Sequence, residues 1–208
     1  QIGSQCWMKE NLKYLPVVHN NSEFSSNAVN LLPGYGVCDY DGNIVETAKS
    51  QSNYAIYGVL YNWYALMDGS SSSNNIPSGV RGVCPIGWHI PSDNEWKQLE
   101  MFLGMSQSLS DAINWRGIDE GSQLKDISIW ASGSNTGASN SSGFKALPGG
   151  SRSASGGTFA GSIILGYWFS STEDDSKAWR RLIGDSGSQV ARNSGVKGGC
   201  ASVRCLMD

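Results

Sequence analysis

The clearest helical pattern of the chain begins at residue 92 and ends near residue 104. Ser92 and Glu95 stand three residues apart, as the two members of a capping box do at the start of a helix. Apolar residues then recur at helical spacing, so one face of this segment is expected to lie on a core. They are Trp96, Leu99, Phe102 and Leu103. Just before the helix, residues 84–87 predict a tight turn and residues 88–90 a short strand.

The last third of the chain shows the shorter period of β-strands. Short apolar runs alternate there with Gly, Ser and Asp, which favour turns. The runs cover residues 163–171, 178–183, 189–192 and 202–206. Residues 54–67 are densely aromatic and predict a buried helix, or a strand that passes into a helix. With a first strand near residues 6–8 and irregular glycine-rich segments in between, this order predicts one α+β domain over residues 1–208.

Composition and charge exclude some partners and indicate the compartment. The chain has 208 residues, a net charge of −3 and 16% charged residues, so neither nucleic acid nor an anionic membrane surface is expected as a partner. No apolar run is long enough for a membrane span. The first residues also lack the charged and apolar segments of a signal peptide. A content of 26 Gly, 8 Trp and 8 Tyr is typical of a loop-rich exported domain, so we expect an extracellular or cell-surface location.

Candidate metal ligands and catalytic groups are few. Asp39, Asp41 and Asn43 bring oxygen atoms close together as a calcium loop does, but the bidentate Glu that completes such a loop is missing. An ordinary turn is therefore the favoured interpretation, with weak calcium binding as the alternative. His89 has no partner nearby in the sequence and predicts a hydrogen-bonded structural residue. Because no phosphate loop, dinucleotide fingerprint or nucleophile elbow is present, we expect no cofactor.

Aromatic and arginine residues outside the apolar runs are the candidates for ligand binding. Isolated tryptophans among polar residues, with arginines nearby, can form a stacking surface for a sugar or a protein. The alternative interpretation is that single aromatic residues hold long loops in place. The irregular segments 104–143 and 150–161 are expected to make the contacts, as loops on a rigid scaffold often do. The candidate residues are Trp115, Arg116, Trp130, Arg152, Trp179 and Arg180.

Seven motifs together resemble one protein family. They are Q-C-W-M-K-E-N-L at 5–12, Y-G-V-L-Y-N-W-Y-A at 57–65, C-P-I-G-W-H-I-P-S-D-N-E-W at 84–96, W-R-G-I-D-E-G-S-Q-L-K at 115–125, S-S-G-F-K-A-L-P-G-G-S-R at 141–152, Y-W-F-S-S-T-E at 167–173 and S-V-R-C at 202–205. They keep the order of the family and span nearly the whole chain. The chain resembles the Fibrobacter succinogenes major paralogous domain, which is similar to the superfamily of C-type lectins and formylglycine-generating enzymes.

This resemblance implies a C-type-lectin-like fold with mixed antiparallel sheets, two helices and long irregular loops. It also implies an exported, often lipid-anchored surface protein of Bacteroidota and similar bacteria. Five Cys without C-x-x-C or zinc spacing favour disulfides in such a chain. Because the implied fold places its first and last strands side by side, we expect the disulfides Cys84–Cys205 and Cys6–Cys200, with Cys38 unpaired.

Three functions are compatible with these observations. The first is a non-enzymatic adhesin or binding module for a glycan or a protein at the cell surface. The second is a structural subunit of a surface fibre or coat, which would associate with itself. The third is a copper-dependent oxidase, since Cys200 and Cys205 have the spacing of the reactive pair in formylglycine-generating enzymes. Because Cys205 instead resembles the structural cysteine at the end of that superfamily, we expect no enzyme activity.

Overall fold

A computed structural model describes residues 1–130 and 137–208 of the chain. Within these residues, eleven strands form a nine-stranded sheet and a two-stranded sheet, with seven helical segments around them. The strands are β1 Tyr35–Gly36, β2 Leu60–Asn62, β3 Trp88–His89, β4 Asn114–Arg116, β5 Gly149–Arg152, β6 Phe159–Ser162, β7 Leu165–Asp174, β8 Lys177–Gly184, β9 Val190–Val196, β10 Cys200–Ser202 and β11 Leu206–Met207. The helices are α1 Asn21–Val29, α2 Val45–Lys49, α3 Ser52–Tyr57, α4 Trp63–Met67, α5 Asp93–Phe102, α6 Gln107–Asp111 and α7 Glu120–Leu124.

The large sheet mixes parallel and antiparallel pairs. Its strand order is β1-β2-β10-β5-β7-β8-β9-β4, with β6 beside β5. Strands β7, β8, β9 and β4 pair antiparallel, whereas β5 and β10 each run parallel to β7. The predicted α+β class with mixed sheets is confirmed. Among the described residues, only α1 and α5 have nine residues or more, and none of the helices is long and apolar enough to cross a membrane.

Segments that were predicted to be irregular contain short elements. Residues 104–143 include α6, β4 and α7, and residues 150–161 include most of β5 and the start of β6. Residues 131–136 of the first segment lie outside the described residues. Residues 54–67 pass from α3 through β2 into α4, which agrees with the predicted strand that leads into a helix.

Helix α5 forms as its sequence predicts. The Ser92 hydroxyl accepts from the Glu95 backbone N–H, and the Glu95 carboxylate accepts from the Ser92 backbone N–H, which completes the capping box. Trp96 and Leu99 are buried, at 1% and 0% exposure. Phe102, which was predicted to share their face, is 62% exposed. It lies about 120° around the helix from Trp96, because each residue advances the helix by about 100°.

The predicted Cys84–Cys205 disulfide is present, with a Cα–Cα distance of 6.0 Å. The predicted Cys6–Cys200 disulfide is wrong, since Cys6, Cys38 and Cys200 are all free thiols. The first and last segments do lie side by side, but Cys6 accepts a backbone hydrogen bond from Met207. Cys200 is seven residues earlier in the chain, on β10, where its buried thiol faces another part of the core.

A buried network of charges joins α5 to the sheet. Glu100 on α5 accepts from Arg116 of β4 at 2.6 Å and from Arg181 of β8 at 2.7 Å. Asp93 at the start of α5 accepts from Arg181 at 2.7 Å and from Arg192 of β9 at 2.8 Å. All five side chains are at most 8% exposed. Such a network holds the helix in one position, because a misplaced helix would leave buried charges without partners.

This network predicts a loss of stability in acid. Burial alone would raise the pKa of Asp93, but the charges and hydrogen bonds of Arg181 and Arg192 outweigh it and hold that pKa well below its usual value of 3.8. A carboxyl group whose pKa is lower in the folded state stabilises the fold above the unfolded pKa, and this contribution disappears as the pH falls. We therefore expect the free energy of unfolding to decrease below about pH 4.

Urea unfolding between pH 2 and pH 7 tests this expectation. Asp93→Asn removes the titrating group, so its free energy of unfolding should depend less on pH in the acid range than that of the unmodified protein. Glu46→Gln is the control, because Glu46 is 86% exposed and should leave the acid dependence unchanged. An equal acid dependence in Asp93→Asn and in the unmodified protein would contradict the prediction.

Candidate functional site

Three of the six residues that were predicted to bind a ligand belong to the interior. Arg116 is 3% exposed and forms its ion pair with Glu100. Arg152 is 1% exposed, and its guanidinium donates to two backbone carbonyls at 2.7 Å each. Trp130 is 4% exposed, and its indole N–H donates to a backbone carbonyl at 3.1 Å. The prediction is wrong for these three residues, because their polar groups are satisfied inside the fold and they offer no surface to a ligand.

Strand geometry separates the other three candidates. Trp179 and Arg180 are consecutive in β8, so they point to opposite sides of the sheet. Trp179 lies on the side that faces α5, and the Arg192 guanidinium carbon lies 3.6 Å from its ring centroid. Trp115 and Arg180 lie on the other side, as the pairing of β4, β8 and β9 shows. Only Trp115 and Arg180 of the predicted set therefore share a surface.

We call this surface the open sheet face. It is the side of β4, β7, β8 and β9 that is turned away from α5, at the end where the core does not cover it. Its side chains are Trp115, Leu165, Tyr167, Arg180, the buried Leu182 and Asn193. Further along the same side, Phe169 and Ala178 are buried in the core, and Tyr167 packs against that core. Trp115 is 47% exposed. It stands in one cross-strand row with Leu182 and Tyr167, linked through Ala191 of β9. Since neighbouring strands lie about 4.8 Å apart, the backbone distance across this row from Trp115 to Tyr167 is about 14 Å.

Two small residues, Gly184 and Ala191, lie in the middle of the open sheet face and leave room for larger neighbouring side chains. A Cβ atom added at Gly184 would lie 3.3 Å from the Trp115 ring and 3.5 Å from Leu165, so these two side chains close in over the glycine. Ala191 lies between Trp115 and Leu182 in the row. The indole of Trp115 thus packs over small residues on one side and stays 47% exposed.

Arg180 is fixed in place on the open sheet face. Its Nε donates to the side-chain oxygen of Asn193 at 3.0 Å, and its guanidinium carbon lies 5.0 Å from the Tyr167 ring centroid. The side chain is half-buried. Burial lowers the pKa of Arg180 from its usual value, and Tyr167 opposes that shift. The terminal N–H groups of Arg180 have no acceptor in the described part of the chain, so they remain available to a ligand.

A cleft of about 420 Å³ is a second candidate, beside β1 at the opposite edge of the sheet. Its polar lining residues are Tyr14, Tyr35, Asp68 and Arg81. Burial raises the pKa of Tyr35, and Asp68 and Tyr14 raise it further, so these three groups act on the same space. The volume is within the usual range of ligand sites. Because Asp68 and Arg81 are exposed to water, however, neither charge needs a ligand to compensate it.

Nearly the whole of this chain matches the sequence model of one protein family. The Fibrobacter succinogenes major domain matches residues 1–207. The chain belongs to this family. Neither curated proteins nor solved structures gave a match. The name of the family describes no activity, so the function of this Fibrobacter succinogenes major domain has to be inferred from its own residues.

Two buried cations in the family-like motifs have their partners inside the fold. Lys125 is fully buried, and its ammonium group donates to the backbone carbonyls of Gly184, Asp185 and Gly187 at 2.7–3.1 Å. These carbonyls belong to the end of β8 and the turn after it. Arg204 is 1% exposed and donates to Asn11 at 2.8 Å and to backbone carbonyls. In this Fibrobacter succinogenes major domain, Lys125 and Arg204 are therefore satisfied by partners inside the fold.

The calcium candidates have other partners. Asp41 accepts from the backbone and the side-chain N–H groups of Asn21, at 2.6 and 2.8 Å. The Asn43 amide donates to Glu23 at 3.2 Å, and Asp39 accepts a long bond of 3.5 Å from an asparagine. Over residues 1–130 and 137–208, no group of three or more His, Cys, Asp or Glu side chains forms a potential metal site. The loop thus binds the start of α1, as an ordinary structural turn can.

Two other groups that suggested chemistry also have structural partners. Cys205 is bonded to Cys84, so Cys200 and Cys205 do not form the reduced pair that a copper site would need. Both ring nitrogens of His89 are hydrogen-bonded to carboxylates, at 2.9 Å to Glu95 and at 2.7 Å to Asp208. Burial alone would lower the pKa of His89, but these two carboxylates raise it. The prediction that His89 is hydrogen-bonded within the fold is confirmed.

Sequence reasoning missed most of the open sheet face. Tyr167 and Leu165 lie in the predicted strand 163–171 and Leu182 in the predicted strand 178–183, but neither these residues nor Asn193 were named as ligand candidates. A signal was present, since Tyr167 and Trp168 are consecutive in a strand and cannot face the same side. Trp168 is 0% exposed, whereas Tyr167 is half-buried. The sequence does not show which of the two sides α5 covers.

Proposed function

We propose that this domain is a non-enzymatic binding module for a glycan, and that it binds the glycan on the open sheet face. The observation that carries the proposal is the half-exposed indole of Trp115, which stands in one row with Tyr167 and on the same face as the available N–H groups of Arg180. The apolar C–H face of a sugar ring can stack on an aromatic ring. Amide and guanidinium groups beside the ring can bind the hydroxyls.

The rigidity of the surface supports the proposal. Trp115, Tyr167 and Arg180 all stand on paired strands of one sheet. Groups that are fixed before binding lose little conformational entropy when a ligand arrives. The cleft beside β1 is the less favoured site, because its charged groups are already solvated. A ligand on the open sheet face would instead compensate a half-buried cation.

We also propose that the domain acts outside the cell and that its fold is C-type-lectin-like. The Cys84–Cys205 disulfide supports an exported location, because disulfides persist mainly in oxidising compartments. The bridge between Trp7 and Leu206, which brings the first and last segments together, supports the finer fold assignment. The mixed sheet with few long helices is also compatible with that fold.

Replacing Trp115 tests the proposed site. The domain is first screened on an array of neutral and acidic glycans, and the best ligand is then titrated by calorimetry. We expect Trp115→Ala to weaken the binding of that ligand at least tenfold, since truncating an aromatic residue that carries much of the contact commonly costs about 2 kcal/mol. The fold should keep its stability, because the exposed indole supports little of the core.

Tyr14→Ala is the matched control for this test. Tyr14 is 55% exposed, similar to Trp115, but it lies at the cleft beside β1. We expect this variant to bind like the unmodified domain, and a loss of binding only in Tyr14→Ala would assign the glycan to the cleft. No glycan binding at all, together with self-association that Trp115→Ala abolishes in sedimentation, would overturn the proposal in favour of a fibre or coat subunit.

A further inference from the structure

Arg180 is a half-buried cation without a counterion in the described residues. Five other arginines have buried ion pairs or carbonyl partners, so the fold itself explains their burial. These five are Arg116, Arg152, Arg181, Arg192 and Arg204. Arg180 has one bond, from its Nε to the neutral amide of Asn193. Because burial disfavours its charged form, an anion bound beside it would restore part of the lost solvation.

The guanidinium is oriented as a receptor for an anion. It lies against the Tyr167 ring on one side and against the backbone of Gly195 on the other. A Cβ atom added at Gly195 would lie 2.8 Å from the guanidinium carbon, so the group packs directly on the glycine. With Nε held by Asn193, the terminal N–H groups remain. Paired N–H groups of this planar shape match the two oxygens of a carboxylate.

No other charge on the open sheet face competes for Arg180. The residues that β4, β8 and β9 place on this side include no Asp or Glu. Glu173 lies further along β7 on the same side, but it is paired with Lys197 at 2.6 Å. Lys177 of β8 points to the opposite side, since it is three residues from Arg180 in the strand. The face is therefore apolar and aromatic, with one unneutralised positive charge.

We propose that the open sheet face binds an acidic glycan, with a uronic-acid carboxylate on the terminal N–H groups of Arg180 and a neighbouring sugar ring on Trp115. The proposal rests on the proposed function and adds the class of ligand. From Trp115 to Arg180 the path crosses two strand spacings, from β4 over β9 to β8, and then runs two residues along β8. The two backbone positions are therefore about 12 Å apart. An oligosaccharide spans this distance, and a single sugar ring does not.

Comparing acidic glycans with their carboxyl-reduced forms measures how much the carboxylate charge contributes to binding. Polygalacturonate, alginate and hyaluronan are each titrated beside their carboxyl-reduced forms, which keep the sugar chain and lose the charge. We expect at least one acidic form to bind about tenfold or more tightly than its reduced form, as a charge-assisted bidentate contact predicts. Arg180→Gln should abolish this preference. Arg180→Lys should retain only part of it, because an ammonium group cannot bind both oxygens in the same plane.

Lys177→Gln is the matched control, since it removes one positive charge from the same strand on the other side of the sheet. It should keep the full preference, and thermal unfolding should show that both Gln variants are folded. Equal binding of acidic and reduced glycans, still dependent on Trp115, would overturn the acidic ligand and leave the glycan function standing. If Arg180→Gln still binds dextran sulfate or the acidic glycans, the binding reflects unspecific attraction of polyanions. This result would overturn the acidic site. An absence of all glycan binding would overturn both proposals.

Discussion

Replacing Glu100 with Ala is expected to lower the free energy of unfolding by about 3–5 kcal/mol. The Glu100 carboxylate is 0% exposed and accepts from the guanidinium groups of Arg116 and Arg181. Its removal leaves Arg116 without its ion pair and Arg181 with Asp93 alone, in a region that water does not reach. A buried charge that loses its partner costs far more than the net value of the pair. Urea unfolding at pH 7 measures the change.

Two variants separate this effect from ordinary loss of a carboxylate. Glu46→Ala removes the exposed partner of Lys49, whose ion pair measures 3.6 Å, and should change the free energy of unfolding by less than about 1 kcal/mol. Glu100→Gln keeps the shape of the side chain and loses the charge, so it should still destabilise the fold strongly. If Glu100→Ala were no worse than Glu46→Ala, the buried network would not hold α5 on the sheet.

Removing the Cys84–Cys205 disulfide is expected to cost about 4–5 kcal/mol beyond the loss of the two sulfur atoms. The bridge joins residues 121 positions apart in the sequence, and the entropy that a crosslink removes from the unfolded chain grows with the length of the loop. The double variant Cys84→Ala/Cys205→Ala should therefore unfold at a much lower urea concentration. Equilibrium unfolding without reductant gives the value.

The chain itself supplies a matched control for the disulfide. Cys38 and Cys200 are free thiols that are 2% exposed, and Cys84 and Cys205 are buried to a similar degree. Cys38→Ala/Cys200→Ala thus removes two buried sulfur atoms without breaking a bond, and the difference between the two double variants isolates the crosslink. Equal stability of these variants would contradict the entropic argument, and it would indicate that the bridge adds no stability.

Local patterns in the sequence predicted the structure correctly where all the interacting residues lie in one short segment. Helix α5 begins at its predicted capping box, because both partners of the box lie within four residues. The strand that leads into a helix at residues 60–67 is also present. The extent of the buried face was less reliable, since Phe102 lies about 120° around the helix from Trp96 and is exposed.

The candidate site was predicted only in part, and the reason is the strand period. Trp115 and Arg180 were named from the sequence, and both are on the open sheet face. Arg116 and Trp179 were named with them, although each is the sequence neighbour of one of these residues. Consecutive residues in a strand face opposite sides, so the two pairs could not form one surface. Applying that rule would have assigned these four residues to two opposite sides of the sheet. It would not have shown which side is exposed.

By itself, the sequence determined the family, the α+β class, the α5 start and the Cys84–Cys205 partnership implied by the family resemblance. The tertiary structure alone decided that Cys6 and Cys200 lie apart, and that Arg116 and Arg152 are interior cations. Short-range patterns fix hydrogen bonds and helical spacing within a segment. Strands and helices far apart in the chain decide which side of a sheet is covered. They also decide which partner a buried charge has, and only folding brings these elements together.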